Sequence, residues 1–313
     1  MKILIIKPSS FGDIVQAAPC AAALKQAYPG CEITWVVFSR WESLVGLFDG
    51  IDKIITWDRK KGVRGFTGAL KEIRKNEYDL AIDLQGLMRS AWLARFSKAK
   101  IKLGVPGMKE GSSILIKEVY PQNAKMNATL RNLEPLRFLT GKSFKPEVKV
   151  KIDKNIRDSA EKVLAGNAVK GNFISLLPFA RGKNKNWSVE NYLKLIELIK
   201  SKYPHFQIVV LGSYGDYGRL VSDKVIDLCG KTDIKQLAAV LSKSALAIGA
   251  DTGSMHLASV LNIPSVFIFG ASDINETAPY IGRFSLLINK DNPFEIDKVS
   301  PEQVFEEAEK WLK

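Results

Sequence analysis

The sequence predicts an α/β protein made of two Rossmann-like, parallel-sheet domains facing each other across a cleft. Three observations predict it. Short apolar runs alternate with helix-period segments almost throughout, the pattern of βαβ units and not of hairpins. The alternation pauses at Gly141-Lys-Ser-Phe-Lys-Pro146 and then restarts. A chain of 313 residues is also long enough for two cores of ordinary size.

The elements follow in order. Lys2–Ile6 is a leading strand: one lysine and four apolar residues before Lys7-Pro8 do not make a signal peptide. Further strands are expected at Ile33–Phe38, Lys53–Trp57, Tyr78–Asp83 and Lys100–Leu103. Helices between them include Phe66–Asn76 and Ile14–Tyr28, where Pro19 should kink the helix or mark its true start. Asn127–Leu139 is a helix leading into the linker. Beyond it come helix Asn155–Ala165, strand Phe173–Leu177, helix Val189–Ser201 and strand Gln207–Leu211. Helix Ile234–Leu241, strand Ala245–Ile248, a helix from Thr252 and strand Ser265–Phe269 complete the set. Domains are therefore expected at residues 1–145 and 146–300. A final amphipathic helix at 302–312 is available to pack back on the first.

Composition narrows the class. Forty-six Lys and Arg against 33 Asp and Glu leave a formal charge of +13, which points to a polyanionic partner or to a lysine-rich background. No apolar run reaches the roughly 18 residues of a membrane span. Three scattered cysteines and two distant histidines offer neither a disulfide framework nor a zinc site, so a reducing cytosol is the plain expectation.

The most informative segment is Asp251-Thr-Gly-Ser-Met-His256, between an apolar strand and a helix. Free N–H groups and the positive end of a helix dipole meet there, which suits a phosphate. Other loops at strand ends join it in the second half. Arg181, Lys183 and Lys185 follow one strand as a diphosphate clamp, Asp216 follows another as a ribose acceptor, and Cys229-Gly-Lys-Thr232 is a further turn. In the first half, Ser9, Ser10 and Gly12 suit a close substrate approach. Spacing alone does not separate Asp13 as a catalytic carboxylate from Asp13 as a helix cap. Arg59, Lys60, Lys61 and Arg64 are either an anion grip or a solvated loop, and Gln85 and Arg89 follow a third strand as acceptor contacts. GxGxxG, GxSxG and Asp-x-Asp are all missing, which argues against dinucleotide binding, serine hydrolysis and a metal-bridged diphosphate.

The opening Met1–Val15, Asp83-Leu-Gln-Gly-Leu-Met-Arg-Ser90 and Gly249-Ala-Asp-Thr-Gly-Ser-Met-His-Leu-Ala258 together resemble glycosyltransferase family 9. The resemblance runs from residue 1 to at least Tyr280. It implies a GT-B fold and inverting, metal-independent transfer of L-glycero-D-manno-heptose from ADP-heptose. The implied acceptor is the Kdo region of Kdo2-lipid A, at the cytoplasmic face of an anionic inner membrane. It implies no cofactor. Asp13 would be the base, Lys185 a diphosphate contact and Asp216 a ribose contact. Asp251, Thr252, Gly253 and His256 would form the donor motif, and Arg59–Arg64 would meet an acidic acceptor. Ala180-Arg181 departs from two threonines in that family, and Asp216 is shorter than the expected Glu. The chain is expected to act as a peripheral monomer, with membrane contact near Gly107–Ile116. Rival readings are another sugar transferase of the family, including a second-heptose transferase, and a GT-B-like nucleotide-sugar epimerase. A nucleic-acid binder is a third, but the chain lacks a basic patch interleaved with aromatics.

Overall fold

A computed structural model describes residues 1–120, 125–180, 182–213, 220 and 222–312. The chain divides into two compact units, Met1–Lys151 and Ile152–Lys313. The first contains β1 (Lys2–Ile6), α1 (Phe11–Ala17), α2 (Pro19–Ala27), β2 (Glu32–Phe38), α3 (Glu42–Val45), β3 (Lys53–Trp57) and α4 (Gly62–Ile73). It continues with β4 (Glu77–Asp83), α5 (Met88–Phe96), β5 (Lys98–Gly104), β6 (Lys117–Glu118) and α6 (Ala128–Thr140). Its strands form one parallel sheet ordered β3-β2-β1-β4-β5-β6. β1 is central, with Ile3 paired to both Ile33 and Leu80, and its Ile3–Ile6 run is buried on both faces. That is why it reads as continuous apolar sequence and not as an alternation. α4 and α5 close the core of Leu4, Ile6, Val36 and Phe38 through Ala69, Ile73, Ala91 and Leu93. α1, α2 and α6 pack on one another.

The second unit contains α7 (Lys154–Gly166), β7 (Phe173–Leu177), α8 (Val189–Lys202), β8 (Gln207–Val210), β9 (Val225–Asp227) and α9 (Ile234–Leu241). It ends with β10 (Leu246–Ala250), α10 (Gly253–Val260), β11 (Ser265–Phe269), α11 (Ile274–Thr277), β12 (Phe284–Ile288) and α12 (Pro301–Leu312). The sheet is again parallel, ordered β12-β11-β10-β7-β8-β9.

Several boundaries differ from expectation for identifiable reasons. Pro19 does not kink one helix but begins a second, since its fixed φ and missing N–H suit the first position of α2. β6, β9 and β12 were not anticipated: all three are edge strands, and β6 and β9, of two and three residues, are too short to carry an apolar pattern. α12 packs against α8, β10 and β11 of the second unit, with Val304 and Ala308 in its core, and does not belong to the first unit. The Trp187 indole N–H donates to the Val299 carbonyl at 2.9 Å and fixes the segment leading into that helix.

Candidate active site

In each sheet the strand order reverses beside the first strand of its unit, between β1 and β4 and between β7 and β10. Crossovers leave such a point toward opposite faces, so the carboxyl-end loops there part and open a crevice for ligands. In both units, side chains tie the two parting loops together.

At the β1/β4 reversal, Lys7 turns inward and its Nζ donates to the Leu84 carbonyl at 2.8 Å. Burial lowers the pKa of this ammonium group from the usual lysine value, and Arg131 adds to the effect; Asp13 and Asp83 oppose it. The Ser9 N–H donates to Gln85 Oε1 at 3.2 Å, so Gln85 braces the Ser9 loop. The Ser9–Ser10 peptide is cis. Ser10 is the N-cap of α1, with Gly12 in its first turn and Asp13 at the third position. Asp13 Oδ2 accepts from the Ser10 N–H at 3.0 Å and the Ser10 hydroxyl at 2.5 Å. The cap reading of Asp13 is therefore correct, and it is compatible with catalysis. Asp13 is half-buried, and the first turn of a helix suits a carboxylate because its charge complements the positive end of the helix dipole.

Beneath this loop Asp83 is fully buried. It accepts the N–H groups of Gln85 and Gly86 and the Ser90 hydroxyl. Burial pushes its carboxyl up to about 6, against the pull of those donors and of Lys7. Gly86 holds the turn at φ +67°.

The cations expected to meet the acceptor divide. Arg59 and Arg89 both stand over the Phe38 ring, at 5.7 and 5.8 Å. The Arg89 Nε is buried with no hydrogen-bond partner. Arg59 and Lys60 line a cavity of about 480 Å³ with Phe38, Ser39, Arg40 and Asp58. Lys61 and Arg64 do not line it; Lys61 lies 3.5 Å from the Asp58 carboxylate in a well-solvated pair, and Arg64 is exposed. Sequence reasoning missed Arg40 and Lys7. The rule that ligands meet strand-end loops points to Arg40, which follows β2. Nothing in the sequence shows that Lys7 is buried.

At the β7/β10 reversal the organising residue is Asp251, almost fully buried. Its Oδ2 accepts from Lys185 Nζ at 2.8 Å and from the Ser272 hydroxyl at 2.7 Å, and its Oδ1 lies 3.2 Å from His256 Nε2. Three strand-end loops thus meet on one carboxylate. Burial alone would raise its pKa, but hydrogen bonds and charge from His256 and Lys185 prevail and hold it well below the usual carboxylate range. Gly270 lets the loop after β11 close on the loop after β7: a Cβ there would lie 2.3 Å from the Asn184 carbonyl oxygen. Asn186 bonds both backbone groups of Ala180 and shapes the same loop.

Thr252 caps α10, its hydroxyl accepting the Met255 N–H at 3.2 Å, and Gly253 opens the helix. The turn is thus a capped helix start, with Lys185 bonded to the residue just before the cap. Lys185 bonds Asp251, and its side chain remains 36% exposed. The structure does not join Thr232 to this cluster. It follows β9, three strand spacings from β10, or roughly 14 Å. Arg181 and Asp216 lie outside the described residues. Among the described residues, no three His, Cys, Asp or Glu side chains gather as a metal site. Cys20, Cys31 and Cys229 are buried and form no disulfide, and burial pushes the Cys20 thiol up to about 12. No described helix is long and apolar enough to cross a membrane.

Known proteins are similar to this chain in sequence and in fold. The chain is similar to lipopolysaccharide heptosyltransferase 1 of Campylobacter coli, 28% identical over 312 residues that cover 93% of this chain and 88% of that one. Its fold matches a family 9 glycosyltransferase from Veillonella parvula with a TM-score of 0.88 at 20% identity, covering 99% and 97% of the two chains. It also matches an Escherichia coli heptosyltransferase bound to ADP, with a TM-score of 0.80 at 21% identity and 99% of each chain covered. The Asp251 turn and its partners Lys185 and Ser272 all fall within residues 67–304, which match the profile of glycosyltransferase family 9 (heptosyltransferase). The chain is therefore a glycosyltransferase and belongs to that family.

Proposed function

We propose that the protein transfers L-glycero-D-manno-heptose from ADP-heptose to the Kdo region of Kdo2-lipid A, as the first heptose transfer of lipopolysaccharide core assembly. It works in the cytoplasm, peripherally on the inner membrane, as a monomer and without a metal. The observation that carries the donor half is the Asp251 turn, where a capped helix start and a lysine sit over a strand reversal. Family membership supports the reaction class.

In this reading Asp13 takes the proton from an acceptor hydroxyl as that oxygen attacks the anomeric carbon on the face opposite ADP. The new C–O bond forms as the bond to the diphosphate breaks, so the configuration inverts. General-base help of this kind contributes on the order of 10² to 10⁴ in rate. Negative charge grows on the departing diphosphate, and Lys185 with the N–H groups at the start of α10 stabilises it. The helix terminus supplies roughly 0.3–1 kcal/mol, or up to about 2 when partly buried, so the lysine and the exclusion of water carry more. Thr252, Gly253 and His256 shape the donor site. Asp251 acts chiefly by orienting Lys185 and His256, while Arg181 and Asp216 complete the donor contacts. On the acceptor side, Arg59, Lys60 and Arg89 receive the carboxylates of Kdo, Ser9, Ser10, Gly12 and Gln85 hold the loop, and Lys61 and Arg64 guide an anionic lipid inward.

The test is mass spectrometry of Kdo2-lipid A after incubation with ADP-heptose and the protein. A single added heptose is expected. Addition only to an acceptor already carrying one heptose would make this a second-heptose enzyme, and conversion of ADP-heptose with no acceptor present would favour an epimerase.

A further inference from the structure

We propose that the outer face of α5, with the turn Ser112–Ile114 and the uncovered part of β5, docks on an anionic lipid bilayer. The proposal deepens, and rests on, the lipid-linked acceptor reading above.

α5 follows the Gln85 loop and carries two kinds of residue along one stripe. Positions 89, 92 and 96 share a face at helical spacing. Arg89, at the site end, stands over Phe38. Trp92 and Phe96, at the far end, stack on each other at 4.9 Å and 14° and are 37% and 46% exposed. Ala91, Leu93 and Ala94 of the same turns of helix face the core instead.

Neighbouring elements extend this apolar surface. Ala99 of β5 faces the core that α5 closes, so Ile101, two residues on, shares that face, yet it is 46% exposed. The turn Ser112–Ile114 packs against α5 and presents Ile114, 81% exposed. Single exposed apolar residues are ordinary, but two stacked rings with two isoleucines on adjoining elements make a patch.

Charge selects the partner. From Met88 to Tyr120 the chain carries seven Lys or Arg and two Glu. Both glutamates are committed to backbone: Glu110 accepts the Met88 N–H and Glu118 those of Gly107 and Met108. Arg95 lies exposed between the two stacked rings along the helix, and Lys98 is exposed just beyond it. Aromatic rings beside cations fit the headgroup level of an anionic bilayer.

The experiment is co-sedimentation of the whole protein with phosphatidylglycerol-containing and with pure phosphatidylcholine vesicles. It compares wild type with Trp92→Ser/Ile114→Ser, which changes no charge, and with Phe294→Ser, an exposed apolar control elsewhere. Ile114→Ser alone, on an exposed turn, serves if the double variant folds poorly. Wild type should favour the anionic vesicles. The double variant should lose about tenfold or more in binding while its transfer to a soluble Kdo acceptor is unchanged, and the control should match wild type. Equal sedimentation of the double variant and wild type would overturn the proposal, because generic attraction by the +13 chain would then suffice. Wild type that ignores anionic vesicles would overturn it too. Failure of the transferase reading shows separately, as absent transfer to the soluble acceptor by wild type.

Discussion

A double-mutant cycle on Lys185 and Asp251 tests the centre of the donor site. Lys185→Met removes the ammonium group, Asp251→Asn removes the charge with nearly the same shape, and the double variant removes both. The pair is 2.8 Å long, and at an effective dielectric constant of 20 two unit charges at that distance attract by about 6 kcal/mol. That figure is an upper bound. The lysine side chain is 36% exposed, so water screens the pair, and burying Asp251 has already cost solvation. A coupling energy of about 1–2 kcal/mol is expected. Asp251→Asn alone should cost more, about 2–4 kcal/mol, because it also loosens Ser272 and His256. Denaturant unfolding followed through Trp187, which lies in the core of the second unit, reads the stabilities, and calorimetry reads ADP affinity. Because Asp251 is held below its unfolded pKa, its contribution should be present above about pH 4 and fade as pH falls below that. Coupling below about 0.3 kcal/mol would refute the claim that Asp251 holds Lys185 in place.

Two further outcomes follow from the first unit. Asp13→Asn keeps an oxygen able to accept from Ser10, so the helix cap should survive while transfer falls by on the order of 10² to 10⁴ with ADP-heptose affinity nearly unchanged. Transfer within tenfold of wild type would leave Asp13 a cap only. Asp83 has a folded pKa raised to about 6, so the stability it lends is full below its unfolded value near 4 and lost as pH rises through about 6. Asp83→Asn should therefore flatten the wild-type decline between pH 4 and 7 by about 2 kcal/mol in unfolding experiments, and an unchanged slope would contradict the assignment.

Elements whose identity depends on local pattern were legible before any coordinates. The buried run of β1 and the apolar Leu246–Ala250 strand identify themselves, because strands covered on both faces must be apolar at every position. The helix from Thr252 was recognisable because Met255, Ala258 and Leu261 recur at helical spacing after it. Edge strands such as β6 were not, since two residues with one exposed face carry almost no pattern. The placement of α12 was open as well: an amphipathic face requires a partner but does not name one.

The sequence by itself determined which loops were candidates, because each parallel sheet puts the carboxyl ends of its strands on one rim and polar residues cluster there. It also determined the charge of each candidate. Only the tertiary structure decided which candidates act together. It joined Lys185, Ser272 and His256 on Asp251, brought Arg59 and Arg89 to one ring from different strands, and left Lys61, Arg64 and Thr232 outside those groups. It buried Lys7, which looked like any strand-end lysine. The physical reason is strand order. Sixty-six residues separate Lys185 from Asp251, and they meet because β7 and β10 are neighbours in the sheet, a pairing set by the whole fold and by no local run of residues.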